Sequence, residues 1–509
     1  MEFCHTNIFL HSAAAKQLAE LIQNRRQKWA EPQAELSSGN DFEDYEQELH
    51  QRVMLLECEL MQDELSRYDI TAEEITVEKE TYRRSRRSSE TYLTAAGCVT
   101  VARHLYVGID AKDKTICPLE LRSGMIAGYF TPRAARQGAF AMAHLTPGES
   151  ESMFSEIGNM QPSRSSLDRL TKTLSPHWEE HRANWEAQLR QSETVPAHAN
   201  VVAISVDGVM APIRGADKQE KAEEPGKHAS GPTGYKEVGC GTVSLYDREA
   251  ARLQTVRYAR MPESRKVTLQ QQLETEVTSI LALSPNLLRV HLADGAKDNW
   301  RLMKDIEARL PLPLEPPIEI VDYYHACEHL KRGCDAAWGE STVESKQYFD
   351  RLKNRLKEAD DGAQLIIRVL RFQSSTAKGN RCKRLEAELT YFRNQQNRMH
   401  YPDYIRLNLP IASGVMEASC KTLVTQRMKR SGMAWAKDGG QAVLTLRSLI
   451  QSNRWHSAWK LLSADFRKPI KISKLHRSKS SQINKTQPIT PSGFQPILMP
   501  DYRSLPLAG

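Results

Sequence analysis

From Val201 to Tyr324 the chain sets its apolar segments in an order that few architectures accept. VVAISVDGVMAPI (201–213), YKEVGCGTVSLYD (235–247) and LQTVRYARM (253–261) are short, rich in β-branched residues and separated by turn formers, which predicts three strands. A Gly/Pro/Lys loop, GADKQEKAEEPGKHASGPTG, divides the first two. The helical pattern SRKVTLQQQLETEVTSIL comes next, then the strand LLRVHLAD (287–294), the helix KDNWRLMKDIEARL and the strand IEIVDYY. Three strands in succession, then helix and strand in alternation, place the chain in the α/β class.

This order is the strand grammar of an RNase H-like core. The core is expected over 196–335, after the polar linker SETVPAHAN. Residues 336–410 are helical, charged and rich in Arg and Lys; they break the strand alternation and are expected to be an insertion. The core then resumes over 411–462 with the long helix ASGVMEASCKTLVTQRMKR. Upstream, 1–90 is expected to be helical, with apolar residues at 55, 56, 60, 61 and 65 in one stripe. Region 91–195 combines a small hairpin bent at Gly97 with short helices: TPRAARQGAFAMAHL, N-capped at Thr131, then ESESMFSEIG, PSRSSLDRLTKTL and HWEEHRANWEAQLRQ. Three short helices with a tight turn before the last outline a helix-turn-helix DNA reader. Ser163, Arg164, Ser165, Arg169 and Lys172 would then face phosphates or base edges, although any small helical bundle gives the same outline. The basic stretch 463–509 is expected to be a disordered tail.

The formal net charge of +7 is unevenly spread. Residues 31–80 carry 16 acids against Arg52, Arg67 and Lys79, a net of −13 that leaves +20 for the rest. KETYRRSRR (79–87) holds five basic residues, and Arg467 to Lys485 holds seven with no acid. Such runs suit a polyanion, nucleic acid before others, although a solvated tail explains them on its own. No apolar run approaches the roughly 20 residues of a membrane span, so no membrane partner is expected. The nine cysteines form no C-x-x-C pair, which argues against a zinc ribbon or a disulfide framework and for a reducing cytoplasm. No basic segment precedes the apolar patch of MEFCHTNIFLHS, so a signal peptide is not expected.

Three acids fall where this fold would gather them. Asp207 closes the first strand, Asp294 closes the fourth, and Glu417 lies in the first turns of the helix after the insertion. Strand-end residues share one edge of a sheet, the place where open α/β sheets collect ligands. Three carboxylates suit Mg²⁺, with Mn²⁺ as a substitute; two such ions about 3.5–4 Å apart activate water and stabilise the leaving oxygen in an attack on phosphorus. Singly, each acid has a plainer explanation: Asp207 and Asp294 both precede Gly and could make turns, and Glu417 stands four residues before Lys421 as a surface pair.

ISVDGVM, GYKEVGCGTVSLYD, LADGAKDNW, VDYYHACEHL and SGVMEASCKTLVTQRMKRSGMAW together resemble the transposases of ISKra-type bacterial insertion sequences, DDE enzymes related to Mutator-like elements. The likeness spans about residues 90 to 460. It implies Asp207, Asp294 and Glu417 as the metal-holding catalytic triad, and an auxiliary, orienting role for Asp322 and His325 in an Asp-x-x-His signature. Arg427, Lys429 and Arg430, one to two helical turns beyond Glu417, would hold the DNA backbone. Trp435 could stack on a base or simply pack. Double-stranded DNA is the expected partner, and holding two element ends together calls for a dimer or larger assembly.

Two rivals stand beside this. His325, Glu328 and His329 spell H-x-x-E-H, the inverted zinc-peptidase pattern, with Glu386 or Glu388 as a third ligand. That reading leaves Asp207 and Asp294 unexplained. A DNA-binding regulator without catalysis would use the same helices and basic segments.

Overall fold

The computed structural model describes residues 12–30, 40–110, 113–214, 234–311 and 315–474. The readings made for the first eleven residues, for the Gly/Pro/Lys loop and for most of the basic tail lie outside these described residues. Among them, no helix is long and apolar enough to cross a membrane. The chain is mixed α/β, with two five-stranded sheets.

Helices α1 (Ala13–Ala30) and α2 (Asn40–Ser66) precede the first sheet. Helical character then ends earlier than the expected residue 90. β1 (Glu74–Val77) buries Ile75 and Val77 with strict alternation, and β2 (Glu80–Leu93) pairs along its length with β3 (Cys98–Gly108). Glu78 and Lys79, both at positive φ, make the two-residue turn between β1 and β2. The basic run 79–87 is therefore part of an ordered strand, with Arg86 and Arg87 exposed, rather than a solvated tail. The start of the basic stretch 463–509 corrects a second expectation. β10 (Ile470–Lys474) returns to pair antiparallel with β1, so the sheet runs β10-β1-β2-β3-β4, with β4 at Thr115–Ile116. Ile470, packed with Ile75, Val77 and Tyr82, explains why this stretch orders despite its charge.

After the short α3 (Pro118–Ser123) come α4 (Pro132–His144), α5 (Pro147–Ile157) and α6 (Arg164–Gln191). Thr131 stands at the N-cap position of α4 but its side chain makes no capping hydrogen bond, with Pro132 in the first turn, and Thr146 and Glu149 close a capping box on α5. The two helices expected over 162–191 are one, with Pro176 inside it. Proline forfeits a helical hydrogen bond, but Leu167, Leu170, Leu174, Trp178, Trp185 and Leu189 are all buried in one core, and this shared face carries the helix past it.

The second sheet runs β7-β6-β5-β8-β9. β5 (Val201–Pro212), β6 (Tyr235–Tyr246) and β7 (Arg252–Arg260) are antiparallel; β8 (Leu288–Ala293) and β9 (Ile318–Val321) run parallel to β5. Val201 to Val206 and Val238 to Tyr246 are buried without alternation, because α7 (Val267–Leu283) covers one face and other elements the second. Gly241 lets α7 close on β6: a Cβ there would sit 2.8 Å from Leu273 Cδ1. α8 (Lys297–Glu307) links β8 to β9. α9 (Tyr323–Trp338), α10 (Val343–Glu358), α11 (Gly362–Thr376), α12 (Gly379–Gln395) and α13 (Tyr401–Arg406) occupy the stretch that breaks the strand alternation. α14 (Gly414–Ser419) then runs through a π-turn (Cys420–Thr425) to Met428, followed by α15 (Lys437–Gln451) and α16 (Trp455–Asp465).

Candidate active site

Strand register decides what meets at the carboxyl end of the second sheet. β5 and β8 are parallel neighbours with Ser205 opposite Leu292. Asp207 and Asp294 each lie two residues beyond this last pair, Asp207 still within β5 and Asp294 just past the end of β8, close enough for their charges to interact. Their settings differ. Asp207 does not close its strand: β5 continues to Pro212, so Asp207-Gly208 is not a turn. Gly208 instead makes room for Glu237, whose Oε1 would lie 1.9 Å from an added Cβ. Asp294 does make a turn: Gly295 at φ +106 bends the chain into α8, and Asp294 Oδ1 accepts from the Ala296 N–H at 2.9 Å and from Asn299 Nδ2 at 3.4 Å. The turn explanation of Asp294 therefore holds, with its carboxylate just past the end of β8.

Asp207 is largely buried, and burial pushes its carboxyl up; the neighbouring Asp294 charge pushes the same way, against the pull of the Gly208 N–H and Lys266. Its Oδ1 accepts from the Gly208 N–H at 2.7 Å, and its Oδ2 accepts from the Cys420 thiol at 3.6 Å. Lys266, held in the left-handed region at the start of α7, places Nζ 2.6 Å from Glu237 Oε1 and 3.2 Å from Asn299 Oδ1. Beside it an open groove of about 310 Å³ is lined by Met210, Lys236, Glu237, Arg260 and Lys266.

The helical insertion braces this edge. The Tyr391 hydroxyl donates to the Asp294 carbonyl at 3.1 Å, and Gln395 Nε2 donates to the Gly295 carbonyl at 2.9 Å. Burial, with the charges of Asp294 and Asp322, pushes the Tyr391 phenol far up. Asp322 is buried and fully engaged: Oδ1 accepts from the His325 N–H at 2.7 Å, Oδ2 accepts from the Ser413 N–H, and its own N–H donates to the Ala293 carbonyl at 2.9 Å. It thus ties the residue before Asp294 to the loop that opens the Glu417 helix. His325 is partly exposed one turn into α9, 5.0 Å from the His329 ring.

Glu417 is exposed on α14, one turn before Cys420. Cys420, three residues on, is the residue of this segment that contacts Asp207. The ligand oxygens of Asp207, Asp294 and Glu417 are nonetheless not all within 4.8 Å of one another. Neither are those of the H-x-x-E-H set: Glu388 Oε2 instead sits 2.6 Å from His329 Nδ1 and Glu388 Oε1 3.1 Å from Arg332 Nε, with the His329 ring stacked on Tyr391.

The basic residues sort into two groups. Ser163, Arg164, Ser165, Arg169 and Lys172 are all exposed along the first turns of α6, where Ser163 caps the helix by accepting from the Ser166 N–H. Arg164 pairs with Glu151 and Lys172 with Asp168, both at 2.6 Å, and Arg169 lies over the Tyr129 ring. Lys429 and Arg430 are exposed too. Arg427 is not, which corrects its expected place on DNA: it is 2 % exposed, its guanidinium lies 4.9 Å from the Trp435 ring centre and donates to the Met142 carbonyl, and burial lowers its pKa to about 10. The helix does not carry Arg427 outward because the π-turn rotates it. Arg447 takes the Thr422 and Leu423 carbonyls, both at 3.0 Å, and the Ala143 carbonyl at 2.6 Å. Trp435 is packed, its Nε1 donating to the Met428 carbonyl.

Tyr391, Gln395, Lys266 and Cys420 were not singled out from the sequence. Their roles depend on contacts between distant segments, although Cys420, like Asn299, lies within a motif already noted. No family model matches the chain, and no curated protein matches it.

Proposed function

We propose that the chain is a DDE-class DNA transposase with an RNase H-like core, acting on double-stranded DNA. The observation that supports this is that Asp207 and Asp294 follow the last paired residues of two parallel strands and lie near enough for their charges to interact. The sheet order β7-β6-β5-β8-β9, with three antiparallel strands followed by two parallel ones, supports the core assignment. Two oxygen ligands of like charge, one of them largely buried, form a site suited to a hard divalent cation, since such an ion relieves their repulsion. Asp207 and Asp294 would hold Mg²⁺, with Glu417 as the third ligand. When bound, the ion supplies Lewis-acid activation of water and of the scissile phosphate.

The protein's own residues do the rest. Tyr391 and Gln395 fix the Asp294 turn, and Asp322 couples that turn to the approach of Glu417. Lys266 offers positive charge at the groove where a phosphate backbone would enter. Exposed Lys429, Arg430 and the first turns of α6 add backbone contacts. In this scheme hydrolysis at an element end frees a 3′-hydroxyl, which attacks target DNA at the same site, in a dimer or larger assembly in the cytoplasm.

The test is cleavage of a labelled duplex carrying the element's own end, with Mg²⁺ or Mn²⁺, by the intact protein and by Asp294→Asn. Metal-dependent nicking at the boundary, lost in the variant, is expected. Tight binding to that end with no cleavage by either protein would instead make the chain a regulator.

A further inference from the structure

A second group of ligand-type side chains lies far along the sequence from the carboxylates. His177 and His181 stand at i and i+4 on α6, so one face of the helix presents both rings. Asp465 ends α16 against them. His177 Nε2 is 2.8 Å from Asp465 Oδ2 and His181 Nε2 is 3.7 Å from the same oxygen. Among the described residues, this is the trio of His, Cys, Asp or Glu side chains whose ligand atoms all fall within 4.8 Å of one another.

We propose that His177, His181 and Asp465 form a zinc site. Zinc takes imidazole nitrogen and carboxylate oxygen at about 2.0–2.2 Å, so neighbouring ligand atoms on a tetrahedron are about 3.3–3.4 Å apart. The two observed separations bracket that spacing, and small rotamer adjustments bring all three atoms to it. His177 Nε2 is buried and makes no hydrogen bond although it lies 2.8 Å from Asp465 Oδ2, and His181 Nε2 is aimed at the same oxygen from 3.7 Å, so a plain His–Asp hydrogen bond does not explain the group. The donor set discriminates against Mg²⁺, which seeks oxygen, and favours a late first-row ion. His177 and His181 lie against Trp185, and His177 against Phe466, so the rings are held on one side by aromatic packing. The opposite side is open, with the three side chains between about a quarter and a third exposed (23 % and 36 %). Zinc could enter there and keep water as its fourth ligand.

The placement suggests what the ion does. Asp465 is the last residue of α16, and within five residues the chain becomes β10, the strand that completes the first sheet. On the way the Lys468 N–H donates to the Leu121 carbonyl at 3.0 Å, and Lys468 Nζ reaches Glu78 at 2.9 Å. An ion joining Asp465 to α6 would pin this crossover at its root, linking the helical core to the edge of the sheet that starts the fold.

The experiment uses the full purified chain, dialysed against Zn²⁺ and then against buffer. About one equivalent of retained zinc is expected, with a melting temperature raised relative to EDTA-treated protein, and Co²⁺ in its place should give the visible absorption of a four-coordinate ion. His181→Gln, chosen because the residue is only partly buried, should fold and lose both the retained zinc and the zinc-dependent rise in melting temperature. If the wild-type chain retains no zinc and gives no cobalt spectrum, the proposal is wrong, whatever the variant does. Equal binding by His181→Gln would also overturn it, by placing the ion elsewhere.

Discussion

At the scale of single residues, the two basic side chains flanking the end of the α14 segment have opposite fates. Arg427 is buried against Trp435 and the end of α4, whereas Arg430 is exposed and clasps Glu149. Truncation of Arg427 to Ala would leave a cavity and an orphaned Met142 carbonyl, a loss of about 2–4 kcal/mol. Arg427→Met, which fills the space and removes the desolvated charge, should cost under about 1.5 kcal/mol. Urea midpoints of the two variants check this, and both variants should bind DNA as the parent does. For Glu149, the Arg430 guanidinium, with the α5 cap, holds the carboxyl down at about 2. A carboxylate depressed in the folded state contributes stability that is fully present above its unfolded value, about 4.3, and is lost as pH falls towards the folded value. The melting temperatures of wild type and Glu149→Gln should therefore differ at pH 7 and converge on acidification. A gap that stays undiminished at pH 2 would contradict that assignment. Residue types alone could not separate Arg427 from Arg430, since both sit in one basic run; the π-turn that precedes Arg427 is held by Arg447, 24 and 25 residues from the Leu423 and Thr422 carbonyls it binds.

Among the elements, the strands of the second sheet were legible because each is a dense β-branched run between turn formers. The helical start was extended too far because EITV is too short for its period to speak against a helix; only pairing with β2 and β10 makes it a strand. β10 was invisible for the same reason in stronger form, since its partner is about 400 residues away. The pairing yields a test: ending the chain at Phe466 exposes β1 as a sheet edge, and the amide of Thr76, on the side opposite the Ile75 and Val77 amides that face β2, should exchange with solvent faster than in the full chain, while β5 and β6 keep their protection. Unchanged exchange in β1 would mean that β10 contributes nothing to it. The continuity of α6 shows the complementary failure. Pro176 is a fair stop signal locally, yet a buried stripe of six apolar residues on both sides of it outweighs one missing hydrogen bond.

For the whole molecule, the account joins a carboxylate pair on one sheet to a basic helix start and an exposed Lys429–Arg430 corner through two buried arginines that grip the end of α4. DNA binding should then be salt-sensitive, and Lys429→Ala should flatten the dependence of log affinity on log salt by about 0.9 if it contacts one phosphate. An unaltered slope would remove Lys429 from the interface. The claim on which everything else rests is that Asp207 and Asp294 together hold a divalent cation, and it can be read without knowing any DNA sequence. The measurement is Mn²⁺ binding to the full chain by electron paramagnetic resonance, with Asp207→Asn, Asp294→Asn and His181→Gln in parallel. The account predicts that each Asp variant weakens Mn²⁺ binding at least about tenfold, a loss of about 1.4 kcal/mol, while His181→Gln leaves that binding intact. Equal Mn²⁺ binding by wild type and both Asp variants would contradict it.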